Sequence, residues 1–234
     1  SSSRLLGRHM AQSMDIEARN TLYKAGIPFG GGSAVAPSIT FGRTKASGAR
    51  TTVSPYDGGT IGTAAAPGYL SPTTIKDAVE TLAAENIPRL GDTYVCFVHP
   101  SQSRSLRDWP EFIEVTKYAA PGNFMLGEIG RLYDVVFIET TQVTQGLTTP
   151  LADIAALDAN SSVSGVQPKD TAYNAIMIGD NSFGQAIALP VELRDGGVID
   201  FGREHGLAWY AIWGFGVITS ESRVIINTLG GAIA

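Results

Sequence analysis

The sequence predicts an α+β protein, helices early and strands late. Three observations carry that prediction. Apolar residues recur at a helical spacing from Leu6 to Leu22, and a helix start signal stands at Ser71-Pro72. Beyond Thr171 the apolar residues gather into strand-like runs bounded by glycine and by charged turns.

The first element is the clearest. Leu6, Met10, Met14, Ala18 and Leu22 form one stripe with Arg4, Arg8, Glu17 and Arg19 between them, an amphipathic helix ended by Gly26 with Pro28 beyond. The two methionines on the stripe are core and not a metal or cofactor box. Residues 26–70 then turn to Gly, Ser, Thr, Ala and Pro, as in GIPFGGGSAVAP and DGGTIGTAAAPG. Such a composition suits a flexible linker or an extended arm with short strands. Ile39, Phe41, Val53, Tyr56 and Ile61 supply anchoring material and favour the arm.

Ser71 is placed to cap a second helix and Pro72 suits its first position. Ile75, Val79, Leu82 and Ala83 give its buried face, and Asn86-Ile87-Pro88 ends it. Tyr94–Val98 is a continuous apolar strand, consistent with burial on both faces, and His99-Pro100-Ser101 stops it. Pro110 opens a short helix to Tyr118, Gly122 to Gly130 is loop, and Leu132–Glu139 is the next strand. Thr140 to Asp170 is a long polar segment holding LADIAALD. TAYNAIMIG, QAIALPVEL and LAWYAIWGFGVI follow as strands, with Gly214 and Gly216 counting against a helix in the last. SESR reads as a turn, and VIIN as the strand that pairs back on that run. No internal repeat is evident.

The 234 residues suffice for one large domain or two lobes sharing a core. Charged residues are only 17% of the chain, which fits a surface largely covered by partners, although Gly- and Thr-rich loops lower the figure too. The net charge of −5 comes without any block of like charges, and that argues against a sequence-independent grip on nucleic acid. Cys96, the single cysteine, lies in an apolar strand and reads as a small buried hydrophobe. No signal peptide is visible. The longest uncharged run, Gly206 to Ser220, is too short and glycine-interrupted to span a bilayer. The chain opens Ser-Ser-Ser-Arg without Met, from which the true N-terminus is expected upstream.

A search for chemistry assigns no catalytic, cofactor-binding or metal residue. GIPFGGGS lacks the lysine of a phosphate loop and follows a helix, not a strand. His9, His99 and His205 have no second metal-type residue at helical or turn spacing. His99 reads as a satisfied structural histidine and His205, in Arg203-Glu204-His205-Gly206, as a solvated loop residue. There is no G-x-S-x-G elbow, and Glu111 and Glu114 read as a solvated face. Arg43, Lys45 and Arg50 form a modest basic patch, either solvated or in contact with a neighbouring subunit or nucleic acid. Trp213 and Phe215 share one face of a strand and are core. Trp109, in RDWPEF at a helix entrance, is the better interface anchor.

The segment VCFVHPSQSRSLRD…KYAAPGNFMLGEIGRLYDVVFIETTQV carries a resemblance. It looks like the signature of tailed-bacteriophage major capsid proteins with the Hong Kong 97-type fold, and within them is most similar to the subfamily typified by the coat of a lytic enterobacterial podophage. The shared elements are a strand ending in His-Pro, an Arg on the following helix, a Tyr-Ala near that helix's end, a Gly-Glu-Ile-Gly-Arg-Leu loop and a strand ending in Glu-Thr. SPTTIKDAVETLAAENIP and LLGRHMAQSMD also resemble that family, while TAYNAIMIG and the C-terminal strands fit more loosely.

The resemblance implies a layout: residues 1–91 as the peripheral domain with spine helix, Gly-rich arm and second helix, 92–200 as the axial domain, and 201–234 as a C-terminal β-hairpin returning to the peripheral sheet. It also implies a function, namely a non-enzymatic major capsid protein without cofactors. Such a chain self-assembles into pentamers and hexamers of an icosahedral shell around double-stranded DNA. Portal, scaffolding and decoration proteins are further implied partners, the DNA is touched weakly and non-specifically, and no membrane is involved. The place implied is the virion, assembled in the host bacterial cytoplasm. Inter-subunit contacts are expected at Arg107, Trp109, Gly127, Glu128, Arg131, Arg43 and Lys45. The family's N-terminal arm and extended loop do not precede Leu5, so the chain is either a fragment or one in which residues 26–70 do part of their work. Two other classes compete: another virion component, of decoration or tail, and an α+β enzyme.

Overall fold

The computed structural model describes residues 2–24, 26, 37–42, 68–107, 109, 128–144 and 172–230, with backbone alone for 128–131. Helix α1 spans Ser2–Tyr23. Its apolar stripe behaves as the spacing predicts: Leu6, Met10, Met14 and Ala18 are half-buried and Leu22 is buried. The helix stops at Tyr23, ahead of Gly26. Its last carbonyls are taken by a distant side chain, Arg223, whose Nη1 donates to Leu22 O at 2.6 Å and Lys24 O at 2.7 Å. A cation at this end also answers the negative pole of the helix dipole.

Helix α2, Pro72–Ala84, is capped as the sequence predicts, with Ser71 Oγ accepting from Thr74 N at 3.3 Å. It ends with Asn86 in the left-handed region (φ 55). Asn86 N donates to Ala83 O at 3.0 Å and Ile87 N to Leu82 O at 3.1 Å, the paired bonds of a Schellman turn. The buried face is Thr74, Ile75, Ala78 and Leu82, with Val79 half-buried. Ala83, expected there, is exposed, because it falls a further 100° round the helix from Leu82.

Six strands form the larger sheet: β1 (Ser38–Phe41), β2 (Tyr94–Val98), β3 (Glu128–Leu132), β4 (Val135–Glu139), β5 (Ala172–Ile178) and β8 (Arg223–Leu229), in the order β1-β8-β5-β2-β4-β3. Helix α3, Pro100–Arg107, leaves the end of β2. The sheet is mixed, with β1 parallel to β8, β2 parallel to β4, and the other pairs antiparallel. Two apolar clusters cover its faces. One joins α2 and Leu106 to Cys96, Val98, Phe137, Met177 and Ile226. The other joins Leu22 and Tyr23 at the end of α1 to Ile176, Ile178 and Ile225. The alternate residues Cys96 and Phe97 of β2 go to opposite clusters, as a strand apolar on both faces requires.

Among the described residues the other two strands, β6 (Phe183–Ile199) and β7 (Glu204–Val217), pair only with each other. Two sequence expectations are corrected here. The loop expected up to Gly130 is in part strand β3, joined to β4 by Tyr133-Asp134, both with positive φ (51 and 62), as a two-residue hairpin turn requires. Val224–Asn227 pairs with β5 and β1 and not with β7. The hairpin spans 183–217. The helix read from Pro110 to Tyr118, most of the arm at 26–70 and the polar segment beyond Thr144 lie outside the described residues.

Candidate assembly surfaces

Among the described residues the β6–β7 hairpin carries most of the exposed large apolar side chains. A fourteen-residue strand extends about 45 Å at roughly 3.3 Å per residue. Along β7 Leu207, Trp209, Ala211, Trp213, Phe215 and Val217 alternate with exposed neighbours and are half-buried. Helix α1 packs along this strand. Trp209 Nε1 donates to His9 Nδ1 at 3.2 Å, and the Trp209 and Trp213 rings stack 5.6 Å apart. Phe183 meets Phe215 at 6.4 Å. Trp213 and Phe215, expected as core, are only half-buried, and the residue that meets α1 is Trp209, with Trp213 stacked on it. Register shifts between Ile187 and Glu192 flank Pro190, which has no N–H to give a ladder.

The opposite face of the hairpin is open. Tyr210 and Ile212 are exposed there, and Arg194 lies over the Tyr210 ring at 4.4 Å with its Nε on Glu192 Oε1 at 2.7 Å. Charge across a long exposed strand pair discourages indiscriminate edge pairing. At the tip, Asp200 and Phe201 (both φ 53) and Gly202 (φ 91) make the turn, with Arg203 on Asp200 at 2.9 Å. Phe201 is fully exposed (102%), flanked by Val198 (67%) and Ile199 (58%). His205 is not a free loop residue: it opens β7 and its Nε2 sits 2.6 Å from Asp195 Oδ1. The Gly197 backbone N–H and this histidine hold the Asp195 carboxyl below its usual range. Between α1 and the base of the tip lies an open groove of about 640 Å³, lined by Leu5, Leu6, Arg8, His9, His205 and Leu207 among others.

The residues expected to touch neighbours are scattered. Arg107 closes α3 and reaches Glu139 Oε2 at 3.3 Å, where Ser103 Oγ also donates at 2.8 Å. Trp109 is half-buried and its indole N–H donates to Leu70 O at 3.2 Å, tying the chain after α3 to the start of α2. Glu128 and Arg131 fall on β3, the edge strand beside β4. Arg43, Lys45 and Gly127 lie outside the described residues. His99 is stacked on Tyr173 at 4.1 Å and accepts from Ser101 N at 3.2 Å; burial pushes its pKa down. Beside it Gln102, fully buried, donates to Tyr173 O at 3.2 Å and to Thr228 Oγ1 at 2.6 Å.

Two features escaped the sequence reading. Arg223, at 0% exposure, joins the sheet to the end of α1, and burial brings its pKa down to about 10. The second is the phenylalanine at the hairpin tip. Its signal was present: an aromatic residue stands in VIDFGRE, a turn between two strand runs, where polar residues belong.

Among the described residues no cluster of three or more His, Cys, Asp or Glu is placed to hold a metal, and no helix is long and apolar enough to cross a membrane. A helix laid along a long hairpin, with its end pinned to a six-stranded mixed sheet, is an architecture found in phage capsids. The capsid of Ralstonia phage GP4 shares the fold at 16% identity and TM-score 0.56, covering 98% of this chain and 66% of that one. The capsid of Helicobacter pylori bacteriophage KHP30 does so at 12% identity and TM-score 0.60, over 97% of this chain and 68% of that one. The capsid of cyanophage P-SCSP1u does so at 11% identity and TM-score 0.57, over 98% and 65%. The chain spans about two thirds of the length of the capsid chains it matches. No family profile matches it, and no curated protein does. The fold of the chain is the Hong Kong 97-type α+β capsid fold.

Proposed function

We propose that the chain is a major capsid protein, a structural subunit that self-assembles into pentamers and hexamers and closes an icosahedral shell around phage DNA. The observation that carries this reading is a capsid fold matched over nearly the whole chain. The exposed apolar hairpin adds to it, since a monomer gains nothing by displaying such surface. The work is assembly, not turnover. Head-to-tail contacts close into rings when the rotation allows, and interfaces of thousands of Å² supply the free energy.

In this reading α1, α2 and β7 belong to the peripheral domain, and β2, α3, β3, β4 and β5 to the axial domain. Edge strand β3, with Glu128 and Arg131, then faces a ring neighbour together with Gly127, Arg107 and the polar segment at 141–170. Trp109, Arg43 and Lys45 are further contacts. The shell belongs to the virion and is assembled in the bacterial cytoplasm, with portal, scaffolding and decoration proteins as partners. Light scattering on the intact chain tests the reading by mass: oligomers far above 24.7 kDa are expected. Deleting 145–165 tests the ring assignment separately. Loss of rings with retained folding supports it, and unchanged rings overturn it.

A further inference from the structure

Two apolar surface features lie open among the described residues. At the hairpin tip Phe201 projects fully into solvent from a backbone of positive φ, just after exposed Val198 and Ile199. Bulky residues rarely adopt that conformation, and strain of this kind persists mostly where a surface is used. The second feature is the open groove between α1 and the start of β7, walled by Leu5, Leu6 and Leu207. Leu5 itself is 72% exposed. The signs of charge are also complementary. Glu204 stands beside the knob, where Asp200 is already paired with Arg203, while Arg8 edges the groove.

We infer that the tip of one copy seats Phe201 in the α1–β7 groove of a second copy. The contact deepens the shell-subunit reading and rests on it. A knob and a hole on different patches make a heterologous contact, which propagates until a ring closes. An aromatic anchor in an apolar pocket, rimmed by charge, is also the usual composition of an interface hot spot.

Mixed single-cysteine variants test this on the intact chain. Phe201→Cys and Leu5→Cys are both on exposed sites, so folding is expected to survive, checked by circular dichroism. The native Cys96 is fully buried and burial raises its thiol pKa, which keeps it out of exchange. Under mild oxidation the equimolar mixture is expected to give a disulfide-linked dimer band, with far less from either variant alone. Phe201→Asp is expected to weaken self-association at least tenfold. Cross-linking of Phe201→Cys alone, equal to that of the mixture, would place tip against tip and overturn the inference. Rings or shells without cross-linking in the mixture overturn the contact while leaving the shell reading intact. Absence of both cross-links and assembly overturns both.

Discussion

Replacing Arg223 by methionine is the most informative single change to the fold. The guanidinium has no solvent exposure, yet its Nη1 donates to Leu22 O and Lys24 O at 2.6 and 2.7 Å. Burial lowers its pKa to about 10, so it is still charged at neutral pH. Hydrogen bonds from a charged donor are worth about 1.5–3 kcal/mol each after desolvation, or about 3–6 kcal/mol for the two. A third contact, to Thr21 O at 3.5 Å, is too long to add much. Methionine keeps most of the volume and removes a cation, so Arg223→Met is expected near the lower end, about 3 kcal/mol less stable. Arg223→Ala adds a cavity and is expected near 5 kcal/mol. Urea unfolding followed by far-ultraviolet circular dichroism reads both. Amide exchange should quicken first in residues 16–23, where α1 leaves the sheet. A Met variant within 1 kcal/mol of the parent would refute the reasoning, since the carbonyls of α1 would then not depend on this side chain.

Ser71→Ala removes the cap of α2 and is expected to cost about 1 kcal/mol, read in the same urea titration. Tyr23, buried with its hydroxyl on Asn174 O, is expected to make stability fall in alkali. Burial pushes its pKa up to about 12 from 10. The contribution is whole below pH 10, where both folded and unfolded forms are protonated. It is lost as pH rises from about 10 to about 12, because the unfolded chain ionises first, at roughly 1.4 kcal/mol per unit. Tyr23→Phe should lack that loss, so its stability relative to the parent rises by about 3 kcal/mol across the window.

Local pattern revealed the elements whose apolar spacing and end signals agree. The stripe from Leu6 to Leu22, the Ser71-Pro72 start, the Asn86 stop and the alternation of β7 were all legible. What local pattern lacked was partnership. Val224-Ile225-Ile226 is apolar at three consecutive residues, the mark of a strand covered on both faces, so nothing in it selects β5 and β1 over β7. β3 was hidden because Gly127 and Gly130 read as breakers, although an edge strand with a register shift tolerates glycine. Arg223 was passed over in SESR because arginine is almost never fully buried unless paired, and its partners lie 200 residues away in sequence. The candidate contacts were harder still. A capsid interface is a property of two copies, and a single chain shows only half of it.

Negative-stain electron microscopy of the intact protein at rising concentration tests the central claim most directly. Closed shells, or free rings of five and six subunits, are the predicted result. A monodisperse particle of 24.7 kDa at every concentration contradicts it.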